Sequence, residues 1–291
     1  MINVTGSNTN DNEYKNKKYN LKNDIVFKAF FSRKGNEEFL INFLNAILNI
    51  KIKEIKIQHE VDLERLDTLE KGGRLDLQAK LNDGVIVNIE LQVENKHNLE
   101  GRTTFYSAKV ISMETERGTD YNDINQVVMI NILDYEMFGF DEYISETAIV
   151  LDKHREYEVL KGIKWIFIEL PKFRRKHPDM NNEVNQWLAI IDDYDRGMIA
   201  MAEKKNDIIK RAKVELEYLT GDEEVKRLAF LREKWEMDRI SDINHATKEG
   251  IKEGRKEEQK EIAKKLLEMQ MKVEDIIKAT GLTKEEIEKL K

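Results

Sequence analysis

The stretch from Gly73 to Glu94, GRLDLQAKLNDGVIVNIELQVE, constrains this chain more than any other. Leu75, Leu77, Ala79 and Leu81 alternate with Arg74, Asp76, Gln78 and Lys80. Beyond Asn82, Asp83 and Gly84, the residues Val85, Val87, Ile89, Leu91 and Val93 alternate with Ile86, Asn88, Glu90, Gln92 and Glu94. Period-two alternation on both sides of an Asp-Gly turn predicts a β-hairpin with an apolar and a polar face. The register follows, because a one-residue slip would turn a strand's apolar set to the wrong face. A three-residue loop at Asn82, Asp83 and Gly84 pairs Leu81 with Val85, then Leu77 with Ile89, Asp76 with Glu90, and Leu75 with Leu91. A two-residue loop would set Leu77 against Glu90 and is rejected.

Two carboxylates directly opposed on a sheet, with Cβ atoms roughly 5 Å apart, repel unless positive charge lies between them. A divalent cation suits that place, since Mg²⁺ takes one or two carboxylates together with waters and phosphate oxygens. The same residues also suit a solvated strand face on which Arg74 and Lys80 neutralise the acids.

Asp76 followed by Glu90-Leu91-Gln92 resembles the PD-(D/E)xK nuclease signature, whose third residue is usually Lys. The context is similar to one branch, the recombination-promoting nuclease and putative transposase family. Lys22-Asn23-Asp24-Ile25-Val26-Phe27-Lys28, Phe43 to Leu48, Arg74 to Leu77, Asn88 to Gln92, and Arg102 with Phe105-Tyr106 carry the likeness in one order. It spans about Tyr19 to Asp193. The resemblance implies a mixed α/β restriction-endonuclease-like core, with a central sheet flanked by helices. It also implies hydrolysis of DNA phosphodiester bonds in which Asp76 and Glu90 hold Mg²⁺ (or Mn²⁺). Gln92 stands where the wider superfamily has Lys, so the positive charge near the phosphate falls to Arg102 or Lys109. Tyr106 shares their side of one helix. Asp24 and Lys28, one turn apart, either form a surface pair or border the metal site.

Composition narrows the alternatives. The 291-residue chain is long for a single core and, with 36% charged residues, suggests a compact domain carrying exposed helices. A net charge of −7 excludes a uniformly basic nucleic-acid coat but leaves room for a local basic groove. With no cysteine there is no disulfide, thiolate metal site or cysteine nucleophile. His59, His97 and His177 lack ligand spacing. No apolar run approaches membrane-spanning length, and the start lacks a signal-peptide pattern, so a cytoplasmic protein is expected.

In order along the chain, residues 1–18 read as a disordered tail and 19–193 as the nuclease-like domain. Helices are expected from Asn23 to Gly35 and from about Asn36, with a strand or two around Ile52 to Val61. A polar connection from Asp62 leads to the hairpin. A helix from Asn95 to about Arg117 and a buried strand from Gln126 to Leu133 follow. Strands at Thr147–Leu151 and Trp165–Leu170 precede a loop containing Pro171 and Pro178. Residues 194–291 read as a helical extension. Gly250 and Gly254, four apart, mark a frayed or linker helix there. Residues 273–291 form a helix-turn-helix-like hairpin with Thr283 and Glu286 as a capping box. The partners implied are DNA and a second copy of the chain, with no membrane and no small-molecule cofactor. A non-catalytic DNA-binding protein on the same scaffold, or an RNA-directed nuclease, fits the same residues.

Overall fold

The first two helices are built as the apolar spacing requires. In the computed structural model, which describes residues 17–58, 62–63, 73–74, 77–81, 83–115, 118–159 and 161–290, α1 spans Asp24–Ser32 and α2 spans Glu37–Leu48. Asn23 caps α1, its side-chain oxygen accepting from the N–H groups of Ile25 and Val26 at 3.1 and 3.3 Å. Phe27, Phe30 and Phe31 of α1 and Phe43 of α2 are fully buried. The rings of Phe31 and Phe43 lie 5.9 and 5.8 Å from that of Trp187, so the aromatic core joins distant parts of the chain.

Strand β1 (Ile55–Gln58) precedes a two-residue ladder, in which β2 (Asp62–Leu63), from the expected polar connection, pairs with β3 (Gly73–Arg74), from the start of the stretch read as the hairpin. The hairpin comes next as β4 (Leu77–Leu81) and β5 (Ile86–Gln92). Its register is the expected one, with Leu77 opposite Ile89 and Ala79 opposite Val87. The Leu81 N–H donates to Val85 O at 2.8 Å and the Gly84 N–H to Leu81 O at 3.0 Å. Gly84 has φ +88°, and a Cβ there would collide with the Asn125 side chain. Leu75, Asp76 and Asn82 lie outside the described residues, as do residues 1–16 of the expected tail.

Helix α3 (Leu99–Glu114) starts four residues later than expected, and β6 (Val127–Leu133) is buried throughout. Of the expected Thr147–Leu151 strand only β8 (Val150–Leu151) forms, paired with the exposed, unforeseen β9 (His154–Glu158), while β7 (Ile144–Glu146) ends just before it. Strand β10 (Ile163–Glu169) runs straight into α4 (Leu170–Lys176). Pro171 therefore lies in the first turn of a helix and not in a loop, a place where its missing N–H costs nothing.

The main sheet has the order β1-β4-β5-β6-β10-β7. Strands β5, β6 and β10 run parallel, so Gln92, Leu133 and Glu169 end on one edge. Val87, Ile89, Val128, Ile130 and Ile166 face the large core with α1, α2, α5 (Glu183–Asp192), α6 (Arg196–Lys205) and α7 (Asp207–Leu219). On the opposite face Ile86, Val127 and Met129 pack with Val110 of α3. The result is a mixed α/β fold whose six-stranded sheet is flanked by helices.

The chain divides into two compact units, Met1–Phe230 and Leu231–Lys291. Helix α8 (Glu223–Glu268) runs unbroken through Gly250 and Gly254, a helix as expected and without a break at the glycines. In the second unit Ala263 packs with Ile276, Leu282 and Ile287 of the hairpin formed by α9 (Val273–Thr280) and α10 (Lys284–Glu288). Gly281 is left-handed and the Thr283–Glu286 capping box is present.

Candidate functional site

Period two places Asn88, Glu90 and Gln92 of β5 on one face, and α3 covers that face. Glu90 is 2% exposed and Asn88 fully buried, which corrects the alternative of a solvated strand face. Lys80 does not neutralise Glu90; it reaches Glu114 at 3.1 Å. The cation beside Glu90 comes from α3, where Arg102 Nη2 donates to Glu90 Oε2 at 2.5 Å. Asn88 Nδ2 donates to Glu90 Oε1 at 3.1 Å, and Gln92 Nε2 to Glu90 Oε2 at 3.5 Å. Arg102 Nη1 also donates to Gln92 Oε1 at 3.3 Å, and its guanidinium lies 5.3 Å from the Tyr106 ring centroid. A carboxylate so far from water stays charged only with donors of this kind.

Polar residues continue across the sheet. Asn131 of β6 pairs with Glu90 in the strand register, and its Oδ1 accepts from Thr103 Oγ1 of α3 at 3.2 Å. Asn131 Nδ2, Asn88 Oδ1 and Gln78 Oε1 are buried without a hydrogen-bond partner among the described residues. Unsatisfied polar atoms of this kind are costly unless water or a ligand meets them. All three lie on strands flanking or carrying Glu90.

The parallel-strand edge carries two more charge clusters. Asp134, whose N–H donates to Gln92 O at 2.9 Å, binds Lys22 at 3.3 Å and also Arg174. Arg174 grips Asp192 with Nε 2.9 Å from each carboxylate oxygen, and these bonds hold its guanidinium above its ordinary pKa. At the end of β10, buried Glu169 accepts from the N–H groups of Met137 and Phe138 at 2.6 and 3.2 Å, with Lys172 Nζ 2.6 Å away. That pair fixes the loop carrying Tyr135. Burial raises the Tyr135 pKa despite the nearby Arg102 charge, so its hydroxyl stays protonated at neutral pH.

The structure thus brings together Glu90, Gln92, Arg102 and Tyr106 of the residues singled out in the sequence. Lys109 sits two turns further along α3, half-buried. Asp24 and Lys28 lie on α1, which packs against β4. Asp76 lies outside the described residues. Sequence reasoning passed over Asn88, Asn131, Asp134, Tyr135 and Arg174. Asn131 did leave a signal: one polar residue within the apolar run VVMINIL. The charge cluster of Lys22, Asp134, Arg174 and Asp192 left none, since its members are scattered over most of the first unit.

Among the described residues no group of three or more His, Asp or Glu side chains is placed to hold a metal. The oxygen donors at this edge, a buried carboxylate with carboxamides, nevertheless suit a hard cation. Residues 21–246 match the family described as PD-(D/E)XK nuclease family transposase. The chain belongs to that family. No curated protein and no solved structure matches it. Membership in the PD-(D/E)XK nucleases supports nuclease-type hydrolase chemistry, nucleic acid as substrate, and the divalent metal ions that such nucleases generally use. No helix among the described residues is long and apolar enough to cross a membrane.

Proposed function

We propose that this PD-(D/E)XK family member is a divalent-metal-dependent DNA endonuclease whose cation, Mg²⁺ or Mn²⁺, is held by Asp76 and Glu90. The carrying observation is Glu90 itself, a carboxylate buried at the carboxyl end of parallel strands and held by Arg102, Asn88 and Gln92. In α/β sheets this edge is where ligands bind. Asp76, the residue before Leu77, supplies the second acid of the pair.

When bound, the cation would polarise the scissile phosphate and acidify a water. Gln92 orients the attacking water, because a carboxamide both donates and accepts hydrogen bonds. Arg102 is the phosphate-side cation: already beside Glu90, it needs only to turn from that carboxylate towards a phosphate oxygen. Asn88 keeps Glu90 Oε1 oriented. A homodimer would offer one site to each strand of a duplex, and exposed apolar residues of α8 such as Trp235 and Ile243 suit self-association.

Calorimetric titration with Mn²⁺ tests the reading, run beside a DNA-cleavage assay on the same protein. Wild type should bind the ion and cut, while Asp76→Ala should lose both. DNA binding without cutting at any metal concentration would make the chain a non-catalytic DNA-binding protein.

A further inference from the structure

A cavity in the first unit adjoins the Glu90 cluster and shares Arg102 with it. This cleft of about 860 Å³ is lined by His97, Arg102, Phe105, Tyr106, Tyr135 and Met137, among others. Its volume lies in the range of pockets that enclose small organic ligands. Phe105 and Tyr106 rings sit 6.0 Å apart at 55°, and Tyr135 approaches from the loop after β6. Arg102 joins the two regions, since the residue that binds Glu90 also lines the cleft.

The Tyr135 wall is built to stay in place. Glu169 holds the backbone N–H groups of Met137 and Phe138, and Lys172, 1% exposed, neutralises Glu169 from within. Lys172 Nζ also lies 4.6 Å from the Phe140 ring centroid, so this buried cation is enclosed by the loop it stabilises. The buried Glu169–Lys172 pair has no part in the chemistry proposed above. Fixing an aromatic side chain in advance lowers the ordering cost of binding.

A cleft with aromatic walls, opening beside a cation that faces the proposed scissile phosphate, fits one kind of occupant. We infer that it takes an unpaired nucleobase of the DNA strand, stacked on Phe105 and Tyr135, while Arg102 meets the adjoining phosphate. Stacking on aromatic rings is how proteins hold single-stranded nucleic acid without reading sequence. A base still paired in a duplex keeps its faces covered by its neighbours and cannot enter. The preferred substrate is therefore single-stranded or locally opened DNA. This inference rests on the reading that the chain acts on DNA.

The test uses the full chain in chelator, so that binding is read without cutting. Oligonucleotides carrying 2-aminopurine at successive positions are titrated as single strands and as intact duplexes. A fluorescence change confined to one or two positions of the single strand is expected. Phe105→Leu and Tyr135→Leu should each weaken single-strand binding roughly tenfold, as expected for the loss of one stacked base, and leave duplex binding unchanged. Tyr135→Phe keeps the ring and should restore the wild-type value, which separates stacking from folding damage. Leu variants that bind single strands as wild type does, or that weaken duplex binding equally, overturn the inference. Preference for an RNA strand over the same DNA strand overturns it too. Stacked binding by a protein that never cuts DNA with Mg²⁺ would uphold the pocket and defeat the nuclease reading.

Discussion

Arg102 and Glu90 form an ion pair, Nη2 to Oε2 at 2.5 Å, in which the Glu90 side chain is 3% exposed and that of Arg102 25%. The cation thus reaches from a helix over a sheet face to the one described acid of the nuclease signature. Removing one member of an enclosed pair costs more than the pair itself is worth, because the other charge stays behind. For Glu90→Ala we predict a loss of about 2 kcal/mol of metal-free stability, below the range for fully enclosed pairs because Arg102 can turn to water. Adding Arg102→Leu should recover part of it. Thermal unfolding of the single and double variants in chelator checks this. A single variant as stable as wild type would mean that the pair is not formed in solution.

Gln92 touches both partners of that pair, donating to Glu90 and accepting from Arg102. Gln92→Lys should keep measurable cleavage, since it restores the wider superfamily pattern, although its ammonium would compete with Arg102 for Glu90. Gln92→Leu should lose most activity, because it can neither orient a water nor accept from Arg102. Initial rates of plasmid nicking separate the two. Full activity in the Leu variant would remove Gln92 from the mechanism.

The hairpin register was legible in the sequence because alternation leaves one solution that matches apolar to apolar. The burial of its polar face was not legible. Asn88 and Glu90 look like solvated strand residues until α3 covers them, and the Arg102 that neutralises Glu90 is separated from it by a turn and a helix start. Pro171 was misread for a similar reason. Proline marks loops more often than helix starts, and only the direct passage of β10 into α4 tells them apart.

Where the chain can be shortened follows from the core. Met198, Ile199 and Ala202 of α6, with Ile209, Ala212 and Leu216 of α7, are buried in the first unit. A chain ending at Tyr194 should fail to fold, whereas one ending at Asp242 should keep the sheet and the proposed metal site. The longer form should lose DNA affinity, self-association or both. Circular dichroism, light scattering and DNA binding at one fixed salt concentration decide this. A form ending at Asp242 that binds and associates like the full chain would leave the C-terminal unit without a role in either.

Acid should loosen the C-terminal hairpin through Glu286, one of the last carboxylates to take up a proton. Glu286 accepts from the Thr283 N–H at 3.0 Å and meets Lys256 at 3.0 Å, and these contacts lower its pKa from 4.5 to about 2. Its folded pKa is depressed, so its contribution is complete above the unfolded value and is lost as pH falls through the folded one. Hydrogen-exchange protection of α9 and α10 should therefore drop between about pH 4.5 and 2, more in wild type than in Glu286→Gln. Equal drops in both would show that the capping contacts do not form.

The central claim is that a cation held by Glu90 is needed to cut DNA. Its most direct test is single-turnover cleavage of supercoiled plasmid across a range of Mg²⁺ concentrations, by wild type and by Glu90→Gln. That variant keeps the shape and one oxygen, which can accept from Arg102, while removing the charge. The account predicts cleavage by wild type that rises with Mg²⁺ and is abolished by chelator, with Glu90→Gln folded but inactive throughout. Equal cleavage by the two proteins, or wild-type cleavage that persists in chelator, would contradict it.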